Sequence, residues 1–325
     1  MFDFLFIAAS FFGYAKEIKA NLEQRGRNVI WFEDRPATDT ATKALLRLSP
    51  TLIAGKAERY FDQIIEQVRQ QPIRDVLVIK GEALSIEAIR RLQKALPDAR
   101  FTIYFWDSYR NMPKDSFQKV ALFDRALTFD PLDAASDNRL IYRPLFFVEE
   151  QVNLPTVEQD IDLLFFGTAH DDRYSIVKSI ERGLPHGVRF AKVLYIPSRG
   201  IYYFRRCFDP AFRRAKRDEF IFTPLSKRNI MELVARARAV VDIERVVQTG
   251  YTMRSIETFA AGRKIISTNA RLGEADFYHE NNVAVMDRNK PRVDPEFLES
   301  PFMMPKRHVR QRYTLSSWLD DVLLQ

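Results

Sequence analysis

Arg254 and Glu257 stand one helical turn apart in Thr252-Met253-Arg254-Ser255-Ile256-Glu257-Thr258-Phe259-Ala260-Ala261, directly after the turn residues Gln248-Thr249-Gly250. An arginine in the first turn of a helix is chemistry for an anion. Its guanidinium is a fixed fork of donors, and the free backbone N–H groups and positive dipole end of the helix add to it. A carboxylate one turn further on would accept hydrogen bonds from sugar hydroxyls. The elements that must position this set are legible around it. Ala239-Val240-Val241-Asp242-Ile243 is a short apolar, β-branched run suited to a buried parallel strand. Met253, Ile256, Phe259 and Ala260 share one helical face, Gly262 stops the helix, and Lys264 to Thr268 resumes a strand.

The same strand–loop–helix grammar opens the chain. Asp3 to Ala9 reads as a strand, Ser10-Phe11-Phe12-Gly13-Tyr14 as a loop, and Ala15 to Arg25 as a helix with Ile18 and Leu22 inward. Gly26 ends that helix and Asn28 to Phe32 is the next strand, a βαβ opening of an α/β domain. One glycine in the first loop is too few for the dinucleotide fingerprint. Gly13 serves either as a plain turn residue or as part of a loop facing an acceptor. After Asp34-Arg35-Pro36 comes a polar stretch, then a long helix from about Lys56 to Gln70, and Asp75 to Lys80 is a buried strand. Ser85 caps a helix running to about Leu96. The strand Arg100 to Trp106 ends in Asp107-Ser108-Tyr109-Arg110-Asn111. Open α/β sheets bind ligands beyond the carboxyl ends of their strands, which is where Asp107 and Arg110 fall. The competing reading has Asp107 capping the turn that follows. Ala126 to Phe129 and Leu140 to Leu145 add short strands, and the acidic, aperiodic run Phe146 to Asp160 is the expected linker.

A second opening follows. Ile161 to Phe166 is a strand, Gly167-Thr168-Ala169-His170-Asp171-Asp172-Arg173 a loop, and Tyr174 to Arg182 a helix. Arg173 at that helix start is a candidate phosphate ligand; His170 lacks the clustered partners a metal would need. The fold class is therefore α/β, two Rossmann-like domains with parallel sheets facing across a cleft. Ser226 caps a further helix, Lys227 to Arg238, and Tyr313 to Leu324 makes an amphipathic carboxyl-terminal helix through Leu315, Trp318, Leu319, Val322 and Leu323.

Bulk composition narrows the partners. At 325 residues with 46% hydrophobic and 13% aromatic content, two packed cores are affordable and general disorder is excluded. The single Cys207 can form neither an internal disulfide nor a cysteine zinc cluster. The first residues lack a basic run and carry Asp3, so no secretory signal is expected, and no apolar run approaches bilayer length. A net charge of +7 suits polyphosphate ligands, membrane surfaces and nucleic acid alike. Between Arg189 and Arg217, basic residues interleave with Tyr202, Tyr203, Phe204, Phe208 and Phe212. That stretch fits an anionic membrane face, or equally a helix with a buried aromatic side and a solvated basic side. Nucleic acid ranks third, since no binding motif accompanies it.

FFGYAKEI near the start, YFWDSYRN, TFDPLDA, DIDLLFFGTAHDDR, QTGYTMRSIETFAAGRKIISTN and DFYHENNVAVMDR occur in an order that resembles bacterial GT-B glycosyltransferases of surface-polysaccharide and lipopolysaccharide synthesis, the spore-maturation-protein-like group. The resemblance spans nearly the whole chain. It implies an acceptor domain over residues 1–150, a nucleotide-sugar donor domain over 160–310, and a last helix, 311–325, packing back on the first domain. It implies that Gln248, Thr249, Gly250, Arg254 and Glu257 hold the donor and that Gly167, Thr168 and Arg173 close on its diphosphate. Gly13, Tyr14, Asp107 and Arg110 would lie on the acceptor side. The nucleotide-sugar is a co-substrate, and no cofactor or metal is expected. The implied place of work is cytoplasmic, peripheral to the inner face of the membrane, on a glycan or lipid-linked acceptor. Many retaining members carry a pair of Glu here; Glu257 matches the second, while Thr249 stands in place of the first. Stereochemistry is thus left open: Arg254, with Arg173, is the candidate diphosphate cation, and Asp107 is the candidate base if the reaction inverts. The competing functions are a nucleotide-sugar epimerase of the same fold and a non-enzymatic membrane- or nucleic-acid-binding module.

Overall fold

A computed structural model of the chain describes residues 1–10, 12–36 and 50–324, without the side chains of residues 50–54. Phe11 and the polar stretch after Pro36 lie outside the described residues. Among those described, twelve strands form two six-stranded sheets, both wholly parallel. The chain divides into one unit of Met1–Pro144 with Leu315–Gln325 and a second of Leu145–Thr314.

In the first unit the strands are β1 (Phe4–Ile7), β2 (Val29–Phe32), β3 (Asp75–Ile79), β4 (Arg100–Phe105), β5 (Arg125–Thr128) and β6 (Leu140–Tyr142), in spatial order β2-β1-β3-β4-β5-β6. The sheet is covered on both faces, so its central strands are largely apolar rather than alternating, and all four residues of β1 are fully buried. On one face Leu5, Ile7, Val76, Val78 and Ile103 pack against Phe61, Ile64 and Val68 of α2 (Pro50–Val68) and Ile89 and Leu92 of α3 (Ile86–Ala95). Ser85 caps α3, its Oγ accepting from the Ala88 N–H at 3.0 Å. Helix α1 (Tyr14–Gln24) and the carboxyl-terminal helix α8 (Leu315–Val322) complete the unit. Fully buried Trp318 of α8 meets the Tyr104 ring edge-on at 4.8 Å, and Asp320 pairs with Arg25 of the α1 cap at 2.6 Å.

The second unit has β7 (Ile161–Thr168), β8 (Phe190–Tyr195), β9 (Phe220–Ile221), β10 (Ala237–Asp242), β11 (Lys264–Ser267) and β12 (Val283–Val285), in order β12-β11-β10-β7-β8-β9. Its helices of eight residues or more are α4 (Arg173–Gly183), α5 (Arg199–Phe208), α6 (Lys227–Arg236) and α7 (Met253–Ala260). Leu163, Phe165, Ala239 and Val241 pack under Tyr174, Val177 and Ile180 of α4.

The division at Pro144 and Leu145 falls ahead of the linker expected over 146–160. Acidic composition suggested a tether, yet Phe146 and Phe147 are fully buried, and the Phe147 N–H donates to the Tyr313 carbonyl at 2.8 Å within the second unit. Burial of two phenyl rings outweighs the solvation of the glutamates beside them.

Candidate functional site

The second sheet reverses its order between β7 and β10. From β7 the chain winds outward through β8 and β9, then returns to place β10 on the other side of β7. At such a switch point the two carboxyl-end loops diverge and leave a crevice, the usual ligand position of an open parallel sheet. Val241 pairs in register with Phe165, so Gly167 and Asp242 lie at neighbouring strand ends. The two loops that sequence marks as chemical, residues 167–173 and 242–254, are the ones brought together.

Asp242 organises the junction. It is fully buried at the last position of β10, and a buried carboxylate must be partnered. It accepts from the Thr252 hydroxyl at 2.6 Å, from the Ser255 hydroxyl, and from Arg254 Nη1 at 2.8 Å. Thr252 is also the N-cap of α7, its Oγ1 accepting from the Ser255 N–H at 3.1 Å. One carboxylate thereby fixes both the start of the helix and its first arginine. At the other end Gly262 has φ +66°, and the Arg263 N–H returns to the Thr258 carbonyl at 3.0 Å, a Schellman stop that only a residue tolerant of positive φ makes easily.

Arg254 lies over the rings of Phe166 (4.8 Å) and Phe165 (5.5 Å), and its Nε is buried without a partner among the described residues. Arg173, opening α4, turns back to meet it. Its Nε donates to the Ile243 carbonyl at 2.7 Å and its Nη1 lies 3.0 Å from His170 Nε2. Both guanidiniums converge on Gly167, where a Cβ would stand 2.7 Å from Arg254 Nη2 and 3.7 Å from Arg173 Nη1. Burial, and then the charge of Arg254, push the Arg173 guanidinium down to about 10. Among the described residues Asp242 forms an ion pair with Arg254 alone, so an anion bound here would offset the cation–cation repulsion that Arg173 feels. Burial, and then Arg173, push the His170 imidazole down to about 4, so it is neutral near pH 7. Its Nε2 then accepts from Arg173 while Nδ1 donates to Asp171 Oδ2 at 2.7 Å.

Other partners were not legible in sequence. Arg288, in the loop after β12, binds Asp172 at 2.7 and 2.8 Å, Glu244 Oε1 at 2.7 Å and the Glu244 carbonyl at 2.9 Å. The Thr268 hydroxyl donates to the other Glu244 oxygen, and burial holds that carboxyl above the usual range. This network ties the start of α4 to the ends of β10, β11 and β12. Lys227, the first residue of α6, pairs with the buried carboxylate of Glu257. Glu257 sits one turn beyond Arg254, as its spacing requires, and in this state its Oε1 is engaged by that lysine. Gly250 is buried, and Asn269 Nδ2 donates to the Thr249 and Gly250 carbonyls at 3.3 and 3.1 Å, shaping the Gln248–Gly250 turn. Thr168 ends β7 between Gly167 and the His170 loop.

In the first unit Gly13 is the N-cap of α1 with φ +81°, its carbonyl accepting from the Lys16 and Glu17 N–H groups at 3.0 and 3.3 Å. Tyr14 is buried, its ring 5.7 Å from that of Trp106. Asp107 Oδ1 accepts from Asn111 Nδ2 at 3.0 Å and the Ser108 N–H at 3.1 Å, and Oδ2 accepts from Lys80 Nζ at 3.1 Å. That is a turn-holding arrangement, with Arg110 exposed in the turn itself. Among the described residues no group of three or more His, Cys, Asp or Glu is placed to hold a metal ion, and no helix is long and apolar enough to cross a membrane.

No protein-family model matches the sequence, and no curated relative matches it by sequence. Solved structures do match the fold. Sucrose-phosphate synthase from Thermosynechococcus elongatus superposes with a TM-score of 0.64 at 10% identity, over 97% of this chain and 96% of that one. HepE from Anabaena, in complex with UDP and glucose, gives 0.59 at 11% identity over 99% and 98%. A UDP-N-acetylglucosamine 2-epimerase gives 0.52 at 8% identity over 100% and 97%. A synthase, a UDP-binding protein and an epimerase thus share this architecture, and at these identities the likeness is one of fold: two Rossmann-like units, each with a six-stranded parallel sheet, of the GT-B type.

Proposed function

We propose that the chain is a glycosyltransferase that moves a sugar from a nucleotide-sugar to a glycan or lipid-linked acceptor in bacterial cell-surface polysaccharide synthesis, at the cytoplasmic side of the membrane. The observation that carries this reading is the convergence of Arg173 and Arg254 on Gly167 beside buried Asp242. Glycosyl transfer builds negative charge on the departing nucleoside diphosphate. Donors and cations already in place for that charge stabilise the transition state without reorganising. Two guanidiniums suffice for that step, so the reading invokes no metal ion. The solved structure of HepE holds UDP, and a ligand of the same class is assigned to this crevice. Glu257 would exchange its lysine partner for ribose hydroxyls. For an inverting reaction the base is assigned to Asp107; full turnover by Asp107→Asn removes that assignment.

The test combines binding with turnover. UDP and other nucleoside diphosphates should stabilise the wild-type protein against heat, by about 2.7 kcal/mol at a hundredfold excess over Kd. Arg173→Ala and Arg254→Ala should lose most of that gain while keeping their far-ultraviolet dichroism. Turnover by Arg254→Ala at the wild-type rate sinks the assignment. UDP release that requires an acceptor identifies transfer; isomerisation of the sugar without an acceptor identifies epimerisation instead.

A further inference from the structure

Helix α5 (Arg199–Phe208) carries its apolar stripe on the outside. Tyr202 is its one fully buried side chain, and its hydroxyl donates to the Ala215 carbonyl at 3.0 Å. Ile201, Phe204 and Phe208 recur at helical spacing and are 43%, 64% and 72% exposed, with Tyr203 at 52%. The Phe204 and Phe208 rings lie 4.8 Å apart, so the stripe is continuous. A folded domain normally turns such a face inward, and a contiguous exposed one marks an interaction surface.

The charges around it sort into two sets. Arg189 pairs with Asp162, Lys192 with Glu181 and Arg205 with Asp209, so these three serve the fold. Arg199, Arg206, Arg213, Arg214, Lys216 and Arg217 are exposed, and none has a carboxylate within ion-pair distance among the described residues. We propose that α5 docks the protein on an anionic lipid bilayer, with Ile201, Phe204 and Phe208 entering the boundary between head groups and acyl chains and the exposed cations on lipid phosphates. Nucleic acid fits less well. Ile201 cannot stack on a base, and Phe204 and Phe208 pack on each other rather than standing as separate platforms. Arg205 gives the site a bearing on function. It donates to the Ala169 carbonyl and, at 3.2 Å, to that of Asp171, tying α5 to the loop that leads to Arg173.

Co-sedimentation of the full chain with vesicles tests this without any donor or acceptor, and so independently of the transferase reading. The protein should pellet with phosphatidylglycerol–phosphatidylcholine vesicles, not with phosphatidylcholine alone, and less as salt is raised. Phe204→Ser with Phe208→Ser should abolish pelleting with an unchanged unfolding midpoint. Arg213→Gln with Arg214→Gln should cut partitioning by about 25-fold, near fivefold per cation. No pelleting with anionic vesicles overturns the proposal, as does undiminished pelleting by the phenylalanine variant. It is equally overturned by a wild-type dimer that this variant dissociates, or by oligonucleotide binding lost in these variants where vesicle binding is absent.

Discussion

Gly167 matters for what it lacks. Its φ is ordinary, so alanine fits the backbone, but the added methyl would stand 2.7 Å from Arg254 Nη2 and must displace that guanidinium. Gly167→Ala should weaken UDP binding about tenfold or more while changing stability by under about 1 kcal/mol, as isothermal titration and urea unfolding would show. In the first unit Asp34 is fully buried, with Arg35 Nε 3.7 Å away, and burial pushes its carboxyl up to about 6 from 3.8, which Arg35 offsets only in part. A raised carboxyl favours the folded state at low pH and loses that advantage as pH rises through the folded value. Asp34→Asn should therefore stabilise the protein by up to about 3 kcal/mol at pH 8, and by under about 1 kcal/mol at pH 4. Chemical denaturation at the two pH values reads the difference.

At the scale of elements, α7 is a mounted device rather than a packed rod. Of its eight residues, six are buried, including Ser255, Glu257 and Thr258, and its start is bolted to β10 through Asp242. Thr252→Ala removes both the cap acceptor for the Ser255 N–H and one donor to Asp242. The expected cost is about 1–2 kcal/mol in urea unfolding. Nucleotide affinity should fall as well, because Arg254 shares the same carboxylate. A stability loss with unchanged nucleotide affinity would show that the cap serves the fold alone. The spacing of Arg254 and Glu257, the Gly262 stop and the flanking strands are all readable from residue types. That Asp242 is their common anchor is not, since Ala-Val-Val-Asp-Ile reads equally well as a strand whose acid faces solvent.

For the whole molecule, the informative element is the last helix, which belongs to the first unit although the intervening 170 residues form the second. Trp318 is fully buried against Tyr104, and Asp321 pairs with buried Arg143 at 2.6 Å. Trp318→Ala should cost the first unit about 3–5 kcal/mol. Two units need not unfold together, so the loss should appear in one transition of a biphasic melt and leave the UDP-dependent one in place. A uniform shift of both transitions would show that the units unfold as a single block.

Local pattern alone determined a good deal here: two βαβ openings, a strand–loop–helix–strand joint at residues 240–269, and an α/β class. These follow from burial on both sheet faces and from 3.6-residue periodicity, which are properties of neighbouring residues. What tertiary structure decided is adjacency. Gly167 and Arg254 are far apart in sequence and meet because β10 returns to the flank of β7, a choice made by crossover direction and sheet packing rather than by either segment. The Arg288–Glu244–Asp172 network, the Lys227–Glu257 pair and the outward face of α5 arise the same way, from long-range packing that no local window contains.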